Sequence, residues 1–141
     1  MEKQKGFTLI ELIIVIVILG ILSAYAIPKY YDFKKQANVA VINGAVGTIT
    51  TAASLIRSAA LIANNSTAPV TMADGTSVTL DSAGSSYPSV NSTGINASID
   101  QSGLTFTSNA TVASFTLATN CLVTYSISGN KAVITPVTGG C

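Results

Sequence analysis

The chain opens on a long apolar run close to its N-terminus. Between residues 7 and 27 the only charged residue is Glu11. At about 1.5 Å per residue this run would form a helix of roughly 30 Å, which is the thickness of the hydrocarbon layer of a bilayer. It is too long to be only the apolar part of a secretory signal peptide. The pattern therefore predicts a single-pass membrane helix, with an acid inside the span that is costly to bury and needs a partner.

Beyond the span, apolar residues recur every three or four positions, which predicts an amphipathic helix with one buried face. Arg57 falls on the opposite, polar side of that helix. The polar residues 64–66 and then Pro69 predict where the helix ends. Residues 7 to about 63 are thus predicted to form one helix, apolar all round in its first half and amphipathic in its second. The predicted buried stripe is Val39, Ile42, Val46, Ile49, Ala53, Ile56, Ala60 and Ala63.

Gly20 and Pro28 predict a break in this helix. Pro28 has no amide donor and its ring clashes with the carbonyl group of Ala24, which costs about 3 kcal/mol inside a helix. Gly20 adds about 1 kcal/mol relative to alanine. A simple kink at the membrane surface and a segment that stretches or unwinds both follow from this weakness, and the residues alone slightly favour the kink.

After Pro69 the apolar residues change to a period of two, which predicts strands. A small hairpin is predicted at 70–72 and 78–80 around Asp74–Gly75, and residues 81–103 are rich in turn formers and predict a loop. Gly129–Asn130 is a two-residue turn of the kind that hairpins prefer. The predicted fold class is therefore α+β, one globular domain with a long helix packed on a small antiparallel sheet. The remaining strands are predicted at 104–108, 112–117, 122–128 and 132–137.

The composition argues against catalysis. The chain has no histidine, and charged residues make up only 9% against about 25% in ordinary soluble domains. Metal sites built from Cys and His are excluded by count, and neither a calcium loop nor a phosphate-binding glycine motif is present. A calcium site assembled from distant residues stays open. The chain is thus predicted not to be an enzyme and to need no cofactor or metal.

The charge balance argues against nucleic-acid binding. Of seven basic and six acidic residues, Lys3, Lys5 and Glu2 precede Gly6, which leaves five of each sign in the remainder. A neutral chain has no electrostatic footprint for a polyanion.

The two cysteines, Cys121 and Cys141, lie around the last predicted hairpin. An isolated pair of this kind predicts one disulfide formed in an oxidising compartment. Two buried free thiols are the alternative, disfavoured because Cys141 follows two glycines at the end of the sequence. A disulfide would place the body of the protein outside the cytoplasm and the basic leader with Lys3 and Lys5 inside. Closing this loop of about 20 residues would stabilise the hairpin by roughly 3 kcal/mol.

The N-terminal pattern resembles that of the type IV pilin family, which includes the pseudopilins of type II secretion. The resemblance covers residues 1–35 and rests on a basic leader, Gly6, Phe7, the sequence Thr8-Leu9-Ile10-Glu11, an apolar stretch and Pro28. It implies cleavage after Gly6 by the membrane prepilin peptidase and N-methylation of Phe7. It also implies that Glu11 pairs with the N-terminal amine of a neighbouring subunit. A pairing of Glu11 with Phe7 of the same chain is the alternative, because both would lie on one helix face.

The resemblance implies an organisation and a function. Residues 1–6 would be a removed leader, 7–27 the transmembrane and filament-core half of the helix, 28–63 its amphipathic half, and 64–141 the β-rich part of the domain. The expected function is that of a major pilin, whose self-assembly into a helical filament serves adhesion, aggregation or motility. The expected partners are other copies, the prepilin peptidase, the pilus assembly platform and the inner membrane, with no nucleic acid. The precursor would lie in the inner membrane and the filament on the cell surface.

Two other functions stay open at this point. A pseudopilin of a type II secretion system is the first alternative, although such proteins typically carry a calcium site and no disulfide of this kind. A minor pilin that primes assembly is a variant of the main hypothesis. A single-pass anchored binding module belongs to a different class, and it would require neither a cleavable glycine nor an acid within the span.

Overall fold

The computed structural model describes residues 6–101 and 103–141. Residues 1–5 of the predicted leader, with Lys3 and Lys5, and Ser102 in the predicted loop lie outside the described residues. The chain divides into two compact units, an N-terminal unit that ends at Gln36 and a C-terminal unit that covers Ala37–Cys141. Within the described residues the elements are α1 (Leu9–Ile62), β1 (Val70–Thr71), β2 (Ser77–Val78), a 3-10 helix (Ile95–Ser98), β3 (Thr105–Ser108), β4 (Val112–Ala118), β5 (Cys121–Ser128) and β6 (Lys131–Val137).

The described part of the N-terminal unit consists almost entirely of the first half of α1. Its side chains from Gly6 to Gln36 are all exposed, including large apolar ones such as Ile16 and Leu22. By length and composition, α1 is the one helix in the described parts of the chain that could span a membrane, with a mean hydropathy of 2.7 in its most apolar stretch. The predicted span thus corresponds to a real helix whose apolar surface has no covering within the unit.

The helix runs through Gly20 and Pro28 without interruption. The predicted continuous helix is thus present at these residues, whereas a kink or a segment that stretches there stays a prediction. A proline inside a helix removes one donor and disturbs one carbonyl group, so its cost falls on a single turn. The hydrogen bonds of the turns on both sides keep the helix cooperative. Loss of order in this segment after assembly stays a prediction.

In the C-terminal unit, the second half of α1 buries one face. Five members of the predicted stripe are buried, while Val39 and Val46 are half-buried and Ala63 is exposed. Ala63 is exposed because the helix ends one residue earlier, at Ile62. The prediction of an amphipathic second half is therefore correct apart from its last position. The buried residues are Ile42, Ile49, Ala53, Ile56 and Ala60.

The main sheet has four antiparallel strands in the order β3-β4-β5-β6. The Gly129–Asn130 turn joins β5 to β6, with Ser128 paired to Lys131 and both turn residues at positive φ, 56° and 60°. A two-residue turn with two positive φ values matches the twist of the flanking strands, which is why Asn and Gly are preferred there. Pro136 lies in the edge strand β6, where a missing amide donor is tolerated.

The core of the C-terminal unit lies between the buried face of α1 and this sheet. Phe115 and Tyr125 are fully buried in it, and they pack in one cluster with Ile42 and Ile49 of the helix. Alternate residues of β4 and β5 point to the core, as the period of two in the sequence predicts. The α+β architecture of a long helix packed on a small antiparallel sheet is thus confirmed.

The predicted small hairpin is present but forms a sheet of its own. Strands β1 and β2 pair only with each other, and the carboxylate of Asp74 accepts a hydrogen bond of 2.8 Å from the amide of Thr76 in the turn. That bond lowers the pKa of Asp74 because it favours the ionised form. The second strand ends at Val78 rather than at Leu80, because Leu80 instead bridges to Pro88.

Arg57, predicted on the polar side of the helix, makes a contact that the sequence pattern does not predict. Its Nη1 donates a 2.7 Å hydrogen bond to the hydroxyl of Tyr87, and its guanidinium lies 4.6 Å from the centre of that ring. Helical periodicity cannot reveal such a contact, because Tyr87 comes from a loop that folds over the helix from 30 residues away.

Candidate functional site at the helix start

The residues singled out by the sequence, Gly6, Phe7 and Glu11, lie at the start of α1. Thr8 immediately precedes the first helical residue, Leu9, and the carbonyl group of Thr8 accepts a hydrogen bond of 3.3 Å from Leu12. Thr8 is therefore the N-cap of the helix, and Glu11 stands three residues later in its first turn.

Thr8 and Glu11 bond to each other in both directions. The Glu11 Oε2 accepts hydrogen bonds from the amide of Thr8 at 2.8 Å and from its hydroxyl at 2.7 Å. In return the amide of Glu11 donates a 3.3 Å hydrogen bond to the hydroxyl oxygen of Thr8. This reciprocal arrangement is a capping box, which satisfies amide groups that a helix start leaves without partners. The negative charge also lies at the positive end of the helix dipole.

The capping box was not recognised in the sequence analysis, although its signal is visible there. The sequence Thr8-x-x-Glu11 directly before an apolar run is the usual pattern. The partners predicted for the acid are the N-terminal amine of a neighbouring copy or that of Phe7 in the same chain, and not Thr8. The structure gives it a partner within its own first turn as well.

Gly6 and Phe7 precede the helix in an irregular segment. The Phe7 side chain is 89% exposed, and a Cβ atom added at Gly6 would meet nothing within 4 Å. Packing inside the chain therefore gives no reason for a glycine at this position. Phe7 lies before α1, which begins at Leu9, and Glu11 lies in the first turn of the helix. A pairing of Glu11 with Phe7 of the same chain stays a prediction.

The predicted disulfide lies in the C-terminal unit. Cys121 and Cys141 are joined, with their Cα atoms 4.8 Å apart. The Cys141 carbonyl oxygen accepts a 3.1 Å hydrogen bond from Nδ2 of Asn38, near the start of this unit's helix. Gly140 lies so close to the carbonyl group of Thr119 that an added Cβ would come within 1.9 Å of its oxygen. This segment thus connects the β4–β5 turn, the end of β6 and the helix.

In the part of the chain that the structure describes, no three residues of the types His, Cys, Asp or Glu come together in a way that would hold a metal ion. The features of this site are instead an exposed peptide bond, an exposed apolar helix and one capped carboxylate. They suit processing and association better than bond-making chemistry.

The N-terminal segment that contains Gly6, Phe7 and Glu11 also matches known proteins. Residues 1–27 match the family model described as the prokaryotic N-terminal methylation motif. A fimbrial protein of Pseudomonas aeruginosa is 51% identical over 53 residues, which are 38% of this chain and 34% of the relative. The N-terminal segment of this chain is similar to that of type IV pilins.

Two further relatives carry similar names. The type IV narrow pilus major component PilA5 of Thermus thermophilus is 50% identical over 50 residues, 36% of this chain and 43% of the relative. The type IV major fimbrial protein FimA of Dichelobacter nodosus is 49% identical over 49 residues, 35% of this chain and 31% of the relative. No solved structure matches the chain. The matches therefore span only about a third to two fifths of these pilins' own lengths.

Proposed function

We propose that this protein is the major subunit of a type IV pilus, with a structural rather than a catalytic role. The observation that carries the proposal is the arrangement at the start of α1. An exposed Gly6–Phe7 bond stands directly before a capped Glu11, on a helix whose apolar side chains are exposed throughout the N-terminal unit. The methylation motif over residues 1–27 and the names of the relatives support it.

Processing is the first step of the proposed function. The prepilin peptidase would cut between Gly6 and Phe7, and the new amine of Phe7 would be methylated. A glycine allows a protease to approach the backbone closely, and the open surroundings of Gly6 leave the peptide bond accessible. Residues 1–6 would then be a leader that is absent from the mature subunit.

Assembly is the second step. The freed amine of one copy would pair with the carboxylate of Glu11 in a neighbouring copy, so that neither charge remains alone in an apolar environment. The exposed apolar residues of the N-terminal unit would exchange lipid contacts for contacts with the same surface on other copies. The subunit would thus pass from the inner membrane, through the assembly platform, to a filament on the cell surface.

Electron microscopy and mass spectrometry test this proposal together. Filaments sheared from cells should be labelled along their length by an antibody against the C-terminal unit. The chain recovered from them should begin at Phe7 and carry one added methyl group. Thin surface filaments that contain only traces of this chain would instead indicate a minor pilin. Labelling confined to short fibres within the cell envelope would favour a pseudopilin and contradict the proposal.

A further inference from the structure

An open groove lies within the C-terminal unit, between α1, the β1–β2 hairpin and the 3-10 helix. Its volume is about 840 Å³, which is within the range of sites that bind small molecules. Leu55, Met72 and Ile99 give its wall an aliphatic part, and Asp74 and Asp100 add two carboxylates. No basic side chain is among the described residues that line it. The groove therefore combines an aliphatic surface with negative charge.

The hydroxyl groups along the groove donate their protons to the protein itself. Thr48 and Thr51 each donate to the carbonyl group four residues earlier in α1, at 3.1 and 2.8 Å. Ser98 donates to the carbonyl group of Ile95 at 2.7 Å. A hydroxyl oxygen that donates in this way still has lone pairs with which to accept a bond. These three hydroxyl groups and the two carboxylates thus offer acceptors, which favours a ligand with several N–H donors.

Two glycines of α1 keep the floor of the groove open. Gly44 and Gly47 line it, and a Cβ atom added at either position would meet nothing within 4 Å. A glycine inside a helix is destabilising relative to alanine, and packing against the described residues requires neither of these two. Room for an occupant from outside the chain is a physical reason for a glycine at both positions.

From these observations we propose that the groove binds an aliphatic diamine, a molecule with an ammonium group at each end of a methylene chain. Each ammonium carries a positive charge and three N–H donors, which complement the carboxylates and the hydroxyl oxygens of the groove. The methylene chain would pack on Leu55, Met72 and Ile99. Two carboxylates in one groove favour two cationic ends over the single ammonium of a lysine from a second copy. The groove is complete within one chain, so the inference is independent of the proposed role in a pilus.

Titration of the full chain with cadaverine, a diamine with five methylene groups, tests the proposal. The chain is labelled with nitrogen-15 and solubilised in a nonionic detergent. The amide resonances of Gly47 and Thr51 should shift and saturate as cadaverine is added. Pentanediol with terminal hydroxyl groups lacks the charges, and pentamethonium keeps both charges but has no N–H donor. Each of these controls should bind at least about tenfold more weakly, because hydrogen bonds from a charged donor are the strong ones.

Substitutions at the carboxylates test the charge. Asp74→Asn and Asp100→Asn should each weaken the binding of cadaverine about fivefold, which is the upper effect of an exposed ion pair. An asparagine at position 74 can still accept the bond from the amide of Thr76, so the hairpin turn is retained. Asp81→Asn is the matched control, because Asp81 lines a different, smaller cavity. Its affinity for cadaverine should equal that of the wild type.

A steric substitution tests the position of the ligand. Gly47→Leu puts a large side chain on the floor of the groove, and its Cβ atom meets no other group. It should abolish the shifts caused by cadaverine, while the unfolding temperature should not fall below that of the wild type, since leucine favours a helix more than glycine does. Gly20→Leu makes the same change in α1 outside the groove and should leave the binding of cadaverine unchanged.

Several results would overturn the proposal. No saturable shift with cadaverine means that the groove does not bind a diamine, and equal binding of pentamethonium means a general attraction between charges. Unchanged binding in Gly47→Leu places the ligand elsewhere. Shifts that follow the protein concentration rather than the cadaverine concentration mean that a second copy occupies the groove. None of these measurements requires a filament, so they fail or succeed separately from the proposed function.

Discussion

Ile16 and Ile49 are the same residue type on the same helix, yet their surroundings are opposite. Ile16, in the N-terminal unit, is 58% exposed, whereas Ile49, in the C-terminal unit, is 1% exposed. The contrast extends to the units themselves. In the N-terminal unit the described side chains are all exposed, while the C-terminal unit has a core built around Phe115 and Tyr125.

The difference teaches that one helix can serve two kinds of environment. The C-terminal unit buries its apolar surface against its own sheet, so its stability comes from within the chain. The N-terminal unit leaves an apolar surface uncovered, and burial of such a surface is the main driving force of association. Substitutions in the first unit should therefore affect assembly, and those in the second should affect folding.

Glu11 should show the largest effect. Glu11→Ala removes both the capping bond and the charge, whereas Glu11→Gln retains a side chain that can still complete a capping box. In the proposed filament Glu11 pairs with the amine of a neighbouring copy. Removing one partner of such a buried pair is strongly destabilising, so both variants should form at least about a hundredfold fewer filaments. Both should still be cleaved after Gly6 and remain in the membrane. Filament counts by electron microscopy and the mass of the processed chain provide the measurements.

Normal filaments from Glu11→Gln would contradict the need for a charge and reduce Glu11 to a helix cap. Failure of cleavage in either variant would place the residue in peptidase recognition instead. In both cases the contrast between an assembling unit and a folding unit would lose its strongest support.

Phe115 should show the largest effect on folding. It is fully buried and its ring centre lies 5.2 Å from that of Phe106. Phe115→Ala should lower the free energy of unfolding of the C-terminal unit by about 3–5 kcal/mol, because it leaves a cavity in the core. Hydrogen exchange of β4 and β5 amides, measured on the detergent-solubilised chain, reports this change.

Leu55→Ala is the matched control, because Leu55 is 58% exposed on the same unit's helix. The free energy of unfolding obtained from hydrogen exchange should change by no more than about 0.5 kcal/mol in this variant. Equal effects of the two substitutions would mean that the core assigned to the C-terminal unit does not hold it together.

Removing the disulfide should have the next largest effect on the stability of the C-terminal unit. Replacing Cys121 and Cys141 with serine opens a loop between residues that are 20 positions apart. The C-terminal unit should lose about 3 kcal/mol of stability in the chain-entropy model. Limited proteolysis should then reach the β5–β6 hairpin near Ser128 sooner than in the wild type. Unchanged resistance after reduction of the wild type would argue against a stabilising role.

Tyr125→Phe should have a smaller effect and lower the free energy of unfolding of the C-terminal unit by about 1–2 kcal/mol. The buried hydroxyl of Tyr125 donates a 2.7 Å hydrogen bond to the carbonyl of Pro88, and Tyr125→Phe leaves that acceptor without its donor. Thermal unfolding of the variant beside the wild type measures the loss. No change in the unfolding temperature would indicate that water replaces the hydroxyl group.

The same residue gives the C-terminal unit a dependence on alkaline pH. Burial, and to a lesser extent Asp81 and Tyr87, raises the pKa of Tyr125. Unfolding would release its proton once the pH exceeds the ordinary tyrosine value of about 10, so the stabilising contribution is present below that pH and decreases above it. Tyr125→Phe should remove this part of the decrease. An identical alkaline profile in the variant would contradict the assignment to Tyr125.

Much of the fold could be predicted, because local patterns specify it. The helical stripe from Ile42 to Ala60 and the turn at Gly129–Asn130 depend on residues a few positions apart, and both are present. The bonds from Tyr125 to Pro88 and from Arg57 to Tyr87 join residues 37 and 30 positions apart. Such contacts depend on how the loop between β2 and β3 folds back, which no local period encodes.

For the candidate site, too, some features were predicted from the sequence and others were not. The roles of Gly6, Phe7 and Glu11 stay predictions, which the resemblance of residues 1–35 to the type IV pilin family implies. The contact with Thr8 was not predicted although its capping pattern is equally local, because only an N-terminal amine, of a neighbouring copy or of the same chain, was considered as the partner of the acid. The helix continues through Gly20 and Pro28 as one element, because the cost of each residue is local and the hydrogen bonds of the neighbouring turns act cooperatively.

The sequence by itself determined where apolar surface exists: a membrane-length run before residue 28 and a one-sided stripe after it. These follow from residue type and period alone. Only the tertiary structure decided which part of this apolar surface is buried within the chain. The burial of Ile49 depends on the sheet that packs against it and not on the residue type. It also decided that the hydroxyl of Tyr125 meets the carbonyl of Pro88, because a contact between residues 37 positions apart depends on how the chain folds back.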